Sequence, residues 1–412
     1  MKSSRLELPL PYKLLNSLGK LAIALGLPIF RLDEQSVTDS ARKQTGLTDF
    51  GDPYYRQGLL RLLDSFENDA NLHPIGRFMA NEMVVNYLVQ RLRLVETRRK
   101  DPEIFKQPLF PPLIITGLAR SGTTFLHRML ALDPTHRSLP LWLLTRPFPD
   151  LRRSNMDSDP RYLKMEKDLN RRKPLLPGLD AIHYMRADSP EECIVVLGLT
   201  FNSIIFNTLF PVSGYSNWYL EKQGSIQKYR EYHWLLQYFQ SLEPERRLIL
   251  KAPAHTGNLN ALKGEIPQAM IIQTHREPVT CISSVCSLLY TYFRGASDEF
   301  DIEQQLVNPT LNTYESWFRR SIAYREAHPG VVFDVFYKSL VADPIGTVRE
   351  IYTHFDLPWT KSYETDLEKF VHGNPKNKHG KHHYSASDFG LNESELAERF
   401  QFYTDYFGPA NF

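Results

Sequence analysis

Two short segments of this 412-residue sequence carry residue types that hold anions. Gly117-Leu-Ala-Arg-Ser-Gly122-Thr-Thr124 has the two glycines of a P-loop with four residues between them, and a hydroxyl residue where a Walker A motif has Ser or Thr. Thr123 stands where that motif has its lysine. The backbone amides of such a turn, with the positive end of a following helix, cradle a 5'-phosphate whatever the nucleotide. Without the lysine the loop is badly equipped to reach a β- or γ-phosphate, and the cation has moved to Arg120, whose guanidinium can engage a phosphate or sulfonate oxygen. The second segment is Thr274-His-Arg276-Glu-Pro278, with Ser284 eight residues after Arg276. Arginine and serine bracketing one helix can jointly hold a dianionic phosphate, provided Arg276 folds over the helix face that bears Ser284. Taken alone, the glycine pair also fits an unrelated βα turn, and Arg276 with Ser284 also fits an exposed arginine and a helix serine.

Elements of the right kind surround both segments. Pro112-Leu-Ile-Ile-Thr116 reads as a short buried strand, Gly117 to Gly122 as a loop, and Thr123 to Leu132 as an apolar-faced helix ended by Asp133-Pro134. Arg247 to Leu250 and Met270 to Gln273 read as two more buried strands with a helical stretch around Leu259 to Lys263 between them, so the middle of the chain is βαβ. Val331 to Phe336 is a fourth strand, and Pro278 suits the first turn of a helix running through Val279, Ile282 and Val285. Asp334 on that fourth strand invites a Walker B reading, but the apolar residues after it fit an outward-facing strand position equally well. From Tyr12 to about Arg99 the pattern is helical, with Leu59, Leu60, Leu62 and Leu63 in one segment and Phe78, Met79, Met83, Leu88, Val89 and Leu92 in another that opens at Pro74. Charged residues at 98–101 and the prolines at 108, 111 and 112 then place a boundary near residue 105.

Composition limits the partners. With 42% hydrophobic and 23% charged residues the chain is an ordinary globular protein, and a net charge of +2 does not mark a nucleic-acid binder, so any anion site is local. Cys193, Cys281 and Cys286 are too few for a disulfide framework and read as buried apolar residues of a protein in a reducing, cytoplasmic compartment. The run Leu21 to Phe30 contains Pro28 and is shorter than the ~20 residues that span a bilayer, so it reads as a packed or surface-lying helix and no transmembrane segment is expected. Lys2 and Arg5 ahead of it keep a signal peptide as the alternative.

Ile114 to His127 resembles the 5'-phosphosulfate loop of sulfotransferases that use 3'-phosphoadenosine 5'-phosphosulfate (PAPS), and His275 to Pro278 with Ser284 resembles their 3'-phosphate site. Leu47 to Gly51, Leu250 to His255 and Lys378 to Leu391 are similar to further blocks of the broad bacterial-type branch, so the resemblance runs from about residue 45 to the end. It implies an α/β fold, a P-loop-like three-layer domain with a central parallel sheet over 106–412 behind an N-terminal helical region over 1–105. By the same resemblance Gly117, Arg120, Ser121, Gly122, Thr123 and Thr124 hold the 5'-phosphosulfate, Arg276 and Ser284 hold the 3'-phosphate, and Lys378, Gly380 and Lys381 close over the nucleotide. PAPS is then the donor and adenosine 3',5'-bisphosphate the product. The chain departs from the branch at Ala119, where proline is common, and at Leu143, where a glutamate commonly follows the tryptophan.

Sulfuryl transfer moves an SO3 group in line between two oxygens, so positioning and charge stabilisation dominate, as in phosphoryl transfer. Arg120 and Lys251 are the expected cations. Among thirteen histidines the favoured base is His183, because Asp180 to Glu192 resembles a His and Pro-Glu-Glu block of the branch. His255 competes, since Lys251 to His255 sits where cytosolic sulfotransferases place a Lys-Thr-His segment. Glu191 and Glu192 either orient an imidazole or cap the following helix from its first turn. His127 reads as structural, and His379, His382 and His383 match no standard ligand set, so no metal is assigned. The acceptor is a small molecule or a lipid bearing a hydroxyl or amine, with Tyr215 to Tyr219 and Tyr290 to Phe293 either lining its pocket or packing in the core. A P-loop kinase or NTPase, and a catalytically impaired nucleotide-binding homologue, are the alternatives.

Overall fold

The computed structural model describes residues 8–27, 29–148, 156–374 and 385–412. The chain opens with four helices: α1 (Leu10–Ala24), α2 (Glu34–Thr45), α3 (Tyr54–Asn68) and α4 (Pro74–Lys100). Local chemistry fixes their ends. The Asp33 carboxylate accepts from Ser36 N at the start of α2, left-handed Gly46 closes it, and Pro74 begins α4 where a missing N–H costs nothing.

Beyond residue 105 the chain builds a five-stranded sheet, entirely parallel, from β1 (Leu113–Gly117), β2 (His136–Ser138), β3 (Arg247–Lys251), β4 (Met270–His275) and β5 (Val332–Phe336), in the order β2-β3-β1-β4-β5. Helix α5 (Thr123–Leu130) follows β1 directly. Three of the expected strands end one or two residues later than their apolar runs, and β2 was not anticipated. In register, Ile115 lies beside Lys251 of β3, and Gly117 beside Thr274 of β4. The central strand therefore ends level with the two segments that could hold anions.

Every residue of β1 is buried, as expected for a parallel strand covered on both faces. Leu113, Ile115, Ile249 and Ile272 face a core completed by Leu126, Met129, Val348 and Ile351. Their alternates Ile114, Leu248, Leu250 and Ile271 face a larger cluster that also holds Leu59, Phe66, Val84 and Leu88 from the N-terminal helices. Two helical layers thus enclose the sheet, and one core runs from the N-terminal helices into it. Arg91 on α4, 2% exposed, is tied to the same body by a two-pronged pairing with Glu231 at 2.6 and 2.9 Å. No described helix is long and apolar enough to cross a membrane.

Candidate functional site

The turn after β1 is shaped by backbone that only certain residues tolerate. Gly117 has φ +115°, and a Cβ there would come within 2.2 Å of the Thr274 carbonyl on β4. Its amide donates to the Thr256 hydroxyl at 2.9 Å, and that hydroxyl also meets Thr116 Oγ1 at 2.8 Å, so the segment after β3 buttresses the loop. Arg120 takes a left-handed φ of +74°, unusual for a side chain of its size, and Gly122 follows at +92° with Tyr337 and Leu340 packed over it. Buried Ser121 bonds the Leu118 carbonyl and the Thr274 hydroxyl, buried Thr123 opens α5, and Thr124 beside it is exposed. The first-turn amides of α5 and its positive end therefore face the loop's concave side.

Arg276 leaves the end of β4, where the Glu277 carboxylate caps the Pro278–Arg294 helix through the amides of Val279 and Thr280 at 2.7 and 2.6 Å. The Arg276 guanidinium stacks over Tyr337 at 4.2 Å and donates to the Arg120 carbonyl at 2.9 Å. Ser284, 2% exposed, accepts from Arg120 Nε at 3.2 Å. Arg276 thus reaches the glycine turn, and it is Arg120 that bonds the Ser284 hydroxyl. Two segments 156 residues apart in the chain adjoin around one arginine. A second donor of that guanidinium reaches the Ile182 carbonyl at 2.9 Å, immediately before His183.

His183 Nε2 lies 3.3 Å from Glu191 Oε2, and Lys251 Nζ, on a side chain 1% exposed, lies 2.6 Å from Glu192 Oε1 and 3.5 Å from Thr124 Oγ1. Burial alone would raise the Glu191 carboxyl, but His183 and then Lys251 outweigh it and hold it down to about 2. The expectation that these glutamates sit in the first turn of the next helix is corrected: that helix spans Ile194–Leu197, and Glu191 pairs with His183 and Glu192 with Lys251 instead. His183, Glu191 and Glu192 border a cavity of about 1020 Å³ that passes Ala119 in the glycine turn and continues between apolar side chains such as Met79, Leu179, Val195 and Leu288. His183, Glu191, Glu192 and one residue of the glycine turn, Ala119, therefore border the same largely apolar cavity.

Other candidates lie elsewhere. His255 is fully buried, shares a 2.8 Å hydrogen bond with the Tyr229 hydroxyl and does not border the cavity; burial, then Lys228, pushes its imidazole down to about 3. His127 is held by the Ile249 carbonyl at 3.2 Å and likewise falls to about 3 through burial and then Lys251. Asp334 accepts from His275 Nε2 at 2.8 Å and from Arg325, which places it within a structural pair rather than in a Walker B role. Leu143 is 3% exposed in the core and does not border the cavity. Tyr215 and Tyr219 are core residues, whereas Tyr292 borders the cavity. All three cysteines are buried and unpaired, and no metal-binding cluster occurs among the described residues. Lys378, Gly380, Lys381 and the histidines at 379, 382 and 383 lie outside the described residues. Sequence reasoning missed the Lys251–Glu192 pair, the Thr256 buttress and the Tyr337 platform; only the position of Thr256, just past a strand end, could have hinted at one of them.

The sequence profile of the Sulfotransferase family matches residues 111–361, well over half of the chain. Sulfotransferase STF1 from Mycobacterium tuberculosis H37Rv superposes with a TM-score of 0.78 at 32% identity, covering 89% of this chain and 98% of that one. Sulfotransferase STF9 from Mycobacterium avium superposes with a TM-score of 0.81 at 25% identity, covering 91% and 96%. The omega-hydroxy-beta-dihydromenaquinone-9 sulfotransferase Stf3 of Mycobacterium bovis is 25% identical over 268 residues, which span 63% of this chain and 66% of that protein.

Proposed function

The chain belongs to the sulfotransferase family, and from that premise we propose that it transfers a sulfuryl group from PAPS to the hydroxyl of a lipophilic acceptor, with His183 as base. The observation that carries this reading is the meeting of the glycine turn, Arg276 and Ser284 around Arg120, next to Ala119, which borders the cavity that bears His183 and Glu191. PAPS supplies the SO3 group and leaves as adenosine 3',5'-bisphosphate.

Each residue then has a task. Amides of the turn from Gly117 to Thr124 and the positive end of α5 hold the 5' end, while Arg276 and Ser284 hold the 3'-phosphate. Glu191 accepts from Nε2 of His183, which fixes the tautomer and leaves the Nδ1 lone pair to take the acceptor's hydroxyl proton. Lys251, beside Thr124 at the start of α5, shares the charge that grows on the departing phosphate, and Arg120 assists from the turn. Glu192 holds the Lys251 ammonium in place meanwhile. The cavity's apolar walls, and a relative named for a menaquinone-derived acceptor, favour a lipophilic alcohol over a sugar.

A screen of label transfer from 35S-PAPS to alcohols, phenols, sterols, sugars and quinol lipids tests the reading; transfer confined to water-soluble sugars would overturn the acceptor assignment. Arg276→Ala should weaken calorimetric binding of adenosine 3',5'-bisphosphate by about 30-fold or more, the loss of a charge-assisted pair. Unchanged affinity would remove Arg276 from the nucleotide site. Binding of that nucleotide without transfer to any acceptor would leave a nucleotide-binding homologue without catalysis.

A further inference from the structure

Helix α1 is packed in the opposite sense from a helix that serves only its own core. The residue it buries is Asn16, 8% exposed, whose side-chain oxygen accepts from the Ile75 amide at 3.0 Å. Gly19 lies so close to α4 that a Cβ there would come within 2.4 Å of Pro74. Outward, meanwhile, stand Leu10, Leu14, Leu18, Leu21 and Leu25, each between 55% and 69% exposed. Spaced by three and four residues, they form one apolar stripe along the whole helix. Beyond α1, Phe30 and Phe78 add two part-exposed rings, 39% and 41% exposed with centroids 5.1 Å apart. A continuous apolar face of this kind marks an interaction site.

Two further observations say what covers it. First, the flank of α1 next to the stripe, Tyr12, Leu15 and Gly19, is a wall of the cavity that carries His183 and Glu191. Stripe and cavity are thus two sides of one helix. Second, the surroundings are basic. Leu8 to Leu32 contains Lys13, Lys20 and Arg31 and no acidic residue, although Lys20 pairs with Asp298 at 2.7 Å and Arg31 with Asp33 at 3.6 Å, which leaves Lys13 as the unopposed charge on α1 among the described residues. Facing α1 across the cavity mouth are exposed Lys164, Arg171, Arg172 and Lys173, and the Tyr12 hydroxyl donates to the Arg171 carbonyl at 3.0 Å. Asp168 among them pairs with Arg146 at 2.8 Å and with Lys164 at 3.4 Å, so Arg171, Arg172 and Lys173 carry the excess charge.

We propose that α1 lies in the interface of an anionic phospholipid bilayer, its leucine stripe at the level of the acyl chains and its basic neighbours against the headgroups, so that an acceptor dissolved in the bilayer enters the cavity directly. The helix rests on the surface rather than crossing it, since its 15 residues fall short of the ~20 that span a bilayer. The delivery of acceptor rests on the transfer chemistry proposed above; the docking of α1 does not.

The test sediments the full chain with vesicles of phosphatidylcholine containing roughly a quarter phosphatidylglycerol. Wild type binds them, and binds pure phosphatidylcholine several-fold less. The double variant Leu14→Glu, Leu18→Glu lowers the partition coefficient by about tenfold or more, while its melting temperature stays within about 2 °C because both side chains face water. Transfer to a detergent-free, water-soluble alcohol is unchanged in that variant, whereas transfer to a quinol lipid held in the vesicles falls with vesicle binding. Wild type that fails to sediment, or a variant that sediments equally well, overturns the proposal. So does a dimer in lipid-free solution that the same pair of substitutions dissociates, which would give the stripe to a second copy. Should no acceptor be sulfated at all, the transfer reading fails, and sedimentation still decides the docking of α1.

Discussion

Glu191 gives the cavity wall a carboxylate that its neighbours hold ionised. The folded chain keeps Glu191 ionised down to about 2, against an ordinary value of 4.5. Between those values the unfolded chain binds more protons than the folded one, so this carboxylate's contribution is complete above pH 4.5 and fades as the pH falls toward 2. Urea unfolding of Glu191→Gln should therefore show a shallower loss of stability than wild type between about pH 5 and about pH 3; parallel curves would mean that the pairing with His183 contributes nothing. Replacing His183 with alanine should lower kcat by about 10²–10⁴-fold with the KM for PAPS nearly unchanged, measured with saturating acceptor. The sequence allowed either glutamate to orient either imidazole. What it did not disclose is rotation: the turn Pro253–Asn258 directs His255 between Tyr229 and Tyr232, away from the cavity, and no spacing rule reports where a ring at a strand end will point.

Among the elements, the turn between β1 and α5 is the most constrained. Gly117→Ala would put a methyl group against the Thr274 carbonyl at a φ of +115°. The expected cost is at least about 3 kcal/mol, read as a lowered urea midpoint, together with loss of nucleotide binding. Ala119, two residues on, is not among the residues with a left-handed backbone. Strands β1, β3, β4 and β5 were legible because buried parallel strands are short apolar runs. Strand β2 was not, since His136-Arg137-Ser138 has no apolar pattern and is a strand only through its pairing with β3. Likewise the short helix after Glu192 begins only at Ile194, and Glu192 pairs with Lys251, 59 residues on, a long-range fact that local capping rules do not contain.

At the scale of the molecule, one core runs from the N-terminal helices into the sheet, which the local sequence pattern did not disclose. Arg91 is the clearest link: besides Glu231 it donates to the carbonyls of Phe50, Asp52 and Leu199. Glu231→Gln would strand a buried guanidinium and should cost about 3–5 kcal/mol, in a single transition that near- and far-UV dichroism follow together. Separate transitions for the N-terminal helices and the sheet would show that the shared core does not couple them.

The pairing of Arg276 with the Arg120 carbonyl joins positions 156 residues apart. During synthesis the glycine turn leaves the ribosome long before its counterpart exists, so a nascent chain cannot use nucleotide to stabilise its first strands. On the nucleotide site proposed above, adenosine 3',5'-bisphosphate can add stability only once Ser284 has been made, and truncated chains that end before Ser284 should not bind it.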